Sequence, residues 1–398
     1  MACRPEVRFN LHLLFLSFRE NNGAVWITFK KPDSKSVYGD LKSHGISTNN
    51  QPYVTASDNF QVVDLGSKSI TLKYDSEAES CQCKFQGPVV TFSSLHAKNK
   101  AVQCLDVTSG GLAVSCDTEG KLLVWETSSG EIRRKLEGHI ADVYTCRFFP
   151  SGIVILSGGA DMMLKIWCAQ TGKCAATLSG HKQAITDTAI IEKGRNVISC
   201  SKDGTAKLWD CGTQSCITTF ECSSGVITSS ALKAPNSVVD LGTLSHQPND
   251  REMLTEGKLL LITTENGSLQ GYGVQTRSKV FDVRIDDALN CCTFVRDYDM
   301  IAGTQDGRIV AYDIRNMSHQ LCSVLLGRGP VLSSLNTSQG LFITSGDGSV
   351  TCLDSQYNSV LDLTGSDCEP IYKLVFSGTH YYTACRDGCI RKYAMQNS

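Results

Sequence analysis

From about residue 88 onward, apolar and polar residues alternate in short runs, and each run stops at a cluster of Gly, Pro, Asp or Ser. One stretch shows the pattern plainly: "DVYTCRFFP" (142–150), "IVILSGG" (153–159), "MLKIWCAQ" (163–170) and "TGKCAATLSG" (171–180). Period-two runs bounded by turn residues predict four antiparallel strands in this unit, not helices.

The unit repeats. An acidic residue or Asn in a tight turn is followed six positions later by an aromatic or large apolar residue. The pairs are Glu119 with Trp125, Asp161 with Trp167, Asp203 with Trp209, Asn266 with Tyr272, Asp306 with Tyr312, Asp347 with Leu353 and Asp387 with Tyr393. The turn-to-turn steps are 42, 42, 63, 40, 41 and 40 residues. Gly138-His139 and Gly180-His181 precede two of the turns at one offset, and Leu95-His96 reads as falling in the same phase one repeat earlier. Four strands in 40-odd residues, with Gly-His and Trp at fixed phase, is the pattern of a propeller blade. Seven turns predict an all-β, seven-bladed ring over residues 87–398. The last repeat ends soon after its third strand, so residues 87–99, containing "PVVTFSSLHAKN", supply the missing strand and close the ring, removing exposed edges. The long step holds a polar insertion in blade four, residues 233–257; a loop of that length is either functional or disordered.

Residues 1–86 predict a small β-rich module. "AVWITF" (24–29), "FQVVDL" (60–65) and "SITLKYD" (69–75) read as strands, whereas "KPDSKSVYGD" (31–40) and "DSEAESCQC" (75–83) read as loops. The apolar run "LHLLFLSF" (11–18) follows two arginines as in a signal peptide, but it has no clean cleavage site and is too short to span a bilayer, so it reads as a buried helix or strand.

Composition adds bounds. With 41% hydrophobic and 20% charged residues the chain is an ordinary globular one. A net charge of -2 speaks against a protein that coats nucleic acid or an anionic membrane. Nineteen cysteines is an odd number, and none form a CxxC pair; they read as small buried hydrophobes in a reducing compartment. The sequons at Asn266, Asn316 and Asn336 then read as chance matches.

Chemistry must be separated from scaffold. "SCSKDGTAKLWDCG" (199–212) puts Asp203, Asp210 and cysteines together as if for a metal, yet Asp203 and Trp209 recur one period earlier as Asp161 and Trp167. Repeats rarely duplicate a catalytic base in every unit, so His139 and His181 read as buried relays from turn Asp to second-strand Ser or Thr to the Trp ring nitrogen. Asp161, Asp203, Asp306, Asp347 and Asp387 read as turn residues that accept their own backbone N–H groups. Trp125, Trp167 and Trp209 read as core, each costing roughly 3–5 kcal/mol when truncated to Ala. No nucleotide-binding, hydrolase or metalloprotease motif occurs, so the chain reads as a non-enzyme without cofactor or metal. Loops between blades and at the Asp turns share one face, where Asp142, Tyr144, Lys202, Gln305, Tyr372 and Arg386 are the candidate partner contacts.

The units "GHIADVYTCRFFPSGIVILSGGADMMLKIW" and "GHKQAITDTAIIEKGRNVISCSKDGTAKLWD" resemble WD40 repeats. Over most of its length the chain further resembles the proteasomal ATPase-associated factors, through "VYGDL", "VTAS", "LEGH" with "CRFFPSG", "GRNVIS" with "DGTAKLWDCG", "NCCTF", "AGTQDG" and "CRDG". That resemblance implies an assembly chaperone of the proteasome regulatory particle. It would bind the carboxyl-terminal small domain of base ATPase subunits and restrain docking on the proteolytic core. It implies neither nucleic acid nor membrane as partner, a monomer when free, and a location in the cytoplasm with the nucleus also open. A ubiquitin-ligase substrate receptor or a generic signalling scaffold is the alternative use of the same ring.

Overall fold

The computed structural model describes residues 8–11, 21–30, 35–46, 52–57, 59–75, 80–222, 225–235, 239–244, 247, 249–366 and 368–395. All regular elements among them are β-strands. The chain is a seven-bladed propeller carrying a β-rich amino-terminal module.

Blade one comprises Val102–Val107, Leu112–Asp117, Leu122–Glu126 and Ile132–Leu136. Blade two follows with Val143–Phe148, Val154–Gly159, Leu164–Cys168 and Cys174–Leu178, and blade three with Ile185–Ile191, Asn196–Ser201, Thr205–Asp210 and Ser215–Glu221. Blade four is Ile227–Lys233, Leu259–Thr264, Ser268–Gly273 and Lys279–Arg284; blade five is Leu289–Phe294, Asp299–Thr304, Arg308–Asp313 and Asn316–Leu325. Blade six has Val331–Thr337, Gly340–Ser345, Val350–Leu353 and Ser359–Leu363. Blade seven takes Ile371–Phe376, His380–Cys385 and Ile390–Ala394 from the end of the chain and Val90–Phe92 from before blade one. Thr91 lies opposite Arg391 in an antiparallel pair, and Phe92 packs on Trp125 of blade one with ring centroids 4.9 Å apart. The closing strand therefore ties the last blade to the first through both backbone and core.

Each blade is apolar on both faces because each packs between two neighbours. Ile198, Leu208 and Phe220 of blade three meet Leu260, Ile262 and Tyr272 of blade four in one buried cluster. Trp125, Leu123 and Ala113 of blade one meet Tyr382 and Ala384 of blade seven in another.

The amino-terminal module holds a four-stranded sheet, Arg8–Leu11, Asn21–Lys30, Val37–Ile46 and Pro52–Ala56, and a three-stranded meander, Phe60–Leu65, Ser69–Asp75 and Ser80–Gln86. Ile27, Phe29 and Leu41 from the first and Ile70, Leu72 and Phe85 from the second share a core. Two segments expected as loops are strands: "VYGD" opens Val37–Ile46, and "SCQC" opens Ser80–Gln86. In the first, Gly39 is the reason: a Cβ there would lie 2.5 Å from the Phe60 ring, so a glycine occupies an inward position where a pattern of apolar residues would be sought. In the second, the strand is stabilised from a distance, Lys84, Phe85 and Gln86 pairing in parallel with Leu361, Asp362 and Leu363. Blade six thus becomes part of a seven-stranded sheet. Of the run 11–18, residues 12–18 lie outside the described residues.

The insertion between the first two strands of blade four is held down where it is described. The Asn196 amide donates to the Arg251 carbonyl at 3.0 Å and its oxygen accepts from the Met253 N–H at 2.6 Å, while Thr276 Oγ1 donates to the Leu241 carbonyl at 2.5 Å.

Candidate functional site

The three tryptophan-bearing blades contain one repeated hydrogen-bonded chain. In blade two, His139 Nδ1 lies 2.7 Å from Asp161 Oδ2 and Nε2 lies 2.7 Å from Ser157 Oγ, which also accepts from Trp167 Nε1 at 2.8 Å. In blade three the same atoms of His181, Asp203, Ser199 and Trp209 meet at 2.9, 2.7 and 2.8 Å. Gly138 and Gly180 precede these histidines with φ of 153° and 152°, and a Cβ on either would lie about 3 Å from the ring of Trp167 or Trp209, so both conformation and space require glycine.

Blade one departs from this register. His96 reaches Asp117 at 2.7 Å and Ser115 at 2.8 Å, and Trp125 Nε1 donates to Ser115 at 3.1 Å. Asp117, not the expected Glu119, is the turn acid; Glu119 instead faces Lys100 at 2.9 Å.

These histidines have no free reacting position. The His139 and His181 side chains are 1% and 0% exposed. Burial lowers both pKa values below 6.5, outweighing the carboxylate beside each. Burial pushes the Asp203 carboxyl up, but hydrogen bonds from Thr205, the Lys182 N–H and His181 overcome it and hold it at about 2. Two later turn acids cap their own turns, Asp347 Oδ1 accepting from the Ser349 N–H at 2.9 Å and Asp387 Oδ1 from the Cys389 N–H at 2.8 Å; Asp306 instead accepts the Thr304 hydroxyl at 2.5 Å and pairs with Arg308 Nε at 2.9 Å. Among the described residues, no group of three His, Cys, Asp or Glu is placed to hold a metal ion, and every cysteine is a free thiol.

The face that carries the turns is organised by a feature the sequence pattern did not reveal. Every innermost strand has a register shift at its second residue. The residues skipped are Gln103, Tyr144, Thr186, Thr228, Asn290, Leu332 and Tyr372, and all seven are half-buried around one cavity. A bulge re-aims a side chain out of the ladder; repeated seven times, it builds the mouth of the central channel. The channel cavity measures about 500 Å³.

Tyr144 and Tyr372 therefore stand in the mouth, and Lys202 Nζ lies 5.4 Å from the centroid of the Tyr144 ring. Gln305 adjoins the mouth, its Oε1 accepting from Asn290 Nδ2 at 2.9 Å. Arg386 is exposed and held by Glu369 at 2.6 Å. Asp142 lends its carbonyl to the Ala160 N–H at 2.8 Å, with a half-buried side chain. Missing from the sequence-derived set is Ile140, which is 92% exposed directly after His139, and Met162, exposed with φ of 64° in the next turn. Ile140 leaves an aliphatic side chain in solvent directly beside the anchored His139. Its signal in the sequence was weak, because one Ile beside a Gly-His pair reads as the start of the next strand.

The WD domain, G-beta repeat family model matches residues 130–168 and 172–210. Over 380 residues the chain is 47% identical to "Proteasomal ATPase-associated factor 1" of Gallus gallus, covering 95% of this chain and 96% of that protein. It is 46% identical over 382 residues to the Homo sapiens protein of that name, covering 96% of each, and 45% identical over 382 residues to that of Bos taurus.

Proposed function

The chain belongs to the proteasomal ATPase-associated factor 1 family, a non-enzymatic WD-repeat family, and from that premise we propose that it is an assembly chaperone of the proteasome regulatory particle. It binds the carboxyl-terminal small domain of base ATPase subunits and keeps them from premature association with the proteolytic core. The observation that carries this reading is likeness along the whole chain, module and ring alike, to relatives named for association with proteasomal ATPases. The action is steric: a rigid disc covers a surface on its client, and no bond is made or broken. The channel-mouth face, with Tyr144, Lys202, Ile140 and Tyr372, supports the reading as the docking side, since it combines aromatic, aliphatic and cationic groups on short anchored loops. The compartment this role calls for is the cytoplasm, with the nucleus also open.

The test uses the purified full-length chain with recombinant small domains of the proteasomal ATPases. Retention of at least one domain, weakened by Ile140→Asp, together with exclusion of core particles from the complex, is the expected result. Failure to retain any ATPase domain, or recovery of a cullin-linked adaptor from extract in their place, overturns the proposal.

A further inference from the structure

Among the described residues four charged side chains line the central channel, and three of them are committed. Asp187 on blade three accepts from Arg147 Nη2 of blade two at 3.0 Å, from the Ser230 N–H at 2.8 Å and from the Ser230 hydroxyl at 3.1 Å. Asp106 on blade one accepts from the Phe148 N–H at 2.7 Å and the Val107 N–H at 2.9 Å. These bonds staple neighbouring blades together. Lys373 on blade seven is the fourth. It lines the same cavity, directly after the bulged Tyr372, and among the described residues it makes neither a hydrogen bond nor an ion pair. Its charge is nevertheless felt across the ring, lowering the pKa of Asp187 on blade three and of Cys104 on blade one. Arg147 lines the same cavity, and its Nε is buried without a hydrogen-bond partner. Two donors with unused capacity thus line one cavity, whose mouth holds Tyr144 and Tyr372.

We propose that the channel is a binding site for a carboxylate carried by a peptide segment of a protein partner, which enters between Tyr144 and Tyr372 and pairs with Lys373. The charge balance selects the ligand. Arg147 and Lys373 are offset by Asp106 and Asp187, so the cavity has one uncommitted cation and no surplus for a polyanion; a phosphate dianion would be held against two fixed carboxylates. A single carboxylate matches the single free ammonium. A cavity of about 500 Å³ with a few convergent polar groups lies in the range of built ligand sites. The tyrosines supply the flat, amphipathic walls that grip a peptide backbone. The inference rests on the protein-binding reading above only for the nature of the occupant, and it makes Lys373 a specificity-determining residue of that face.

The experiment takes the full-length chain and a random-sequence peptide library with free carboxyl termini, followed by fluorescence polarisation on the enriched peptides. Enriched peptides are expected to share a carboxylate, and Lys373→Met is expected to weaken them about tenfold or more, as loss of a charged hydrogen bond does, while Lys373→Arg retains binding. Amidating the peptide terminus separates a terminal carboxylate from an Asp or Glu side chain; either source supports the site. Because the Lys373 side chain makes no hydrogen bond or ion pair among the described residues, Lys373→Met is expected to keep close to the wild-type melting temperature, and circular dichroism verifies that it is folded. No enrichment, enriched peptides that ignore Lys373→Met, or competition by inositol hexakisphosphate in preference to carboxylates overturns the proposal. ATPase domains bound equally by the wild type and Lys373→Met would sink the channel site and leave the chaperone reading standing. Carboxylate peptides bound while no ATPase domain is retained would do the reverse.

Discussion

Ser157 and Ser199 each stand between a tryptophan and a histidine, and the direction of every bond in the chain follows from that. Trp Nε1 can only donate, so the serine oxygen accepts there and turns its hydrogen to His Nε2; the imidazole then carries its proton on Nδ1 and donates it to the turn carboxylate. Every polar side-chain atom along the chain has a partner, which is why it tolerates complete burial. It also demands a neutral imidazole, because a second proton on Nε2 would point at the serine hydrogen. The lowered pKa of His139 and His181 has a sign that can be worked out. In the unfolded chain histidine titrates near 6.5, above the folded values, so the unfolded state binds protons first as pH falls. The contribution to stability is full above 6.5 and drains as pH falls through the folded-state values. Asp203, held at about 2 against an ordinary 3.8, adds a second and more acidic window, lost between those two values. Urea unfolding between pH 7 and 5 is the measurement. Wild type is expected to lose stability over that interval more steeply than a His139→Asn/His181→Asn variant, and parallel pH profiles would refute the assignment.

At the scale of strands, ring closure rests on a three-residue element, Val90–Phe92. Its backbone completes blade seven, the Val89 N–H adding a bond to the Lys392 carbonyl at 2.8 Å, and Phe92 is 7% exposed against Trp125. Phe92→Ala should therefore cost about 3–5 kcal/mol, as expected for a large buried aromatic. Because opening one seam exposes edges on two blades, the loss should appear as faster hydrogen exchange in distant blade four as well as in blades seven and one. Loss confined to the seam would show that the ring does not unfold as a unit. The spacing of Asp turns and aromatic residues made the blades legible because every blade must solve one packing problem with one period. What escaped was local substitution within that solution. Blade one moves its acid from the position of Glu119 to Asp117, two residues earlier, where it still meets His96. Val37–Ile46 hides its inward face in Gly39, Leu41, Ser43 and Gly45, of which only one is a large hydrophobe. The bulges were invisible for another reason: Thr186, Asn290 and Tyr372 share no residue type, only a place in the ladder.

For the whole molecule, the question is what couples the amino-terminal module to the ring. Strand Ser80–Gln86 forms part of the blade-six sheet, and Gln86 Nε2 also donates to the Ala394 carbonyl of blade seven at 2.7 Å. Beside that seam lies the ion pair of Arg328 Nη2 and Asp362 Oδ2, 2.7 Å apart, with side chains only 8% and 2% exposed. Asp362 is at once the carboxylate of this pair and the backbone partner of Phe85. Burial pushes the Asp362 carboxyl up by more than Arg328 pulls it down, so desolvation outweighs attraction at this carboxylate. Such a pair adds little as a unit but is costly to break in half. Asp362→Ala takes the partner carboxylate away from a buried guanidinium and is expected to destabilise the chain by about 3–5 kcal/mol, whereas Arg328→Met combined with Asp362→Leu is expected to restore most of that loss. Chemical denaturation measures the total, and exchange protection of Ser80–Gln86 reports whether the module detaches first. If Asp362→Ala alone matches the wild type, or if the double variant is no better than the single, the coupling resides in the backbone pairing and the shared strand rather than in the charge pair beside it.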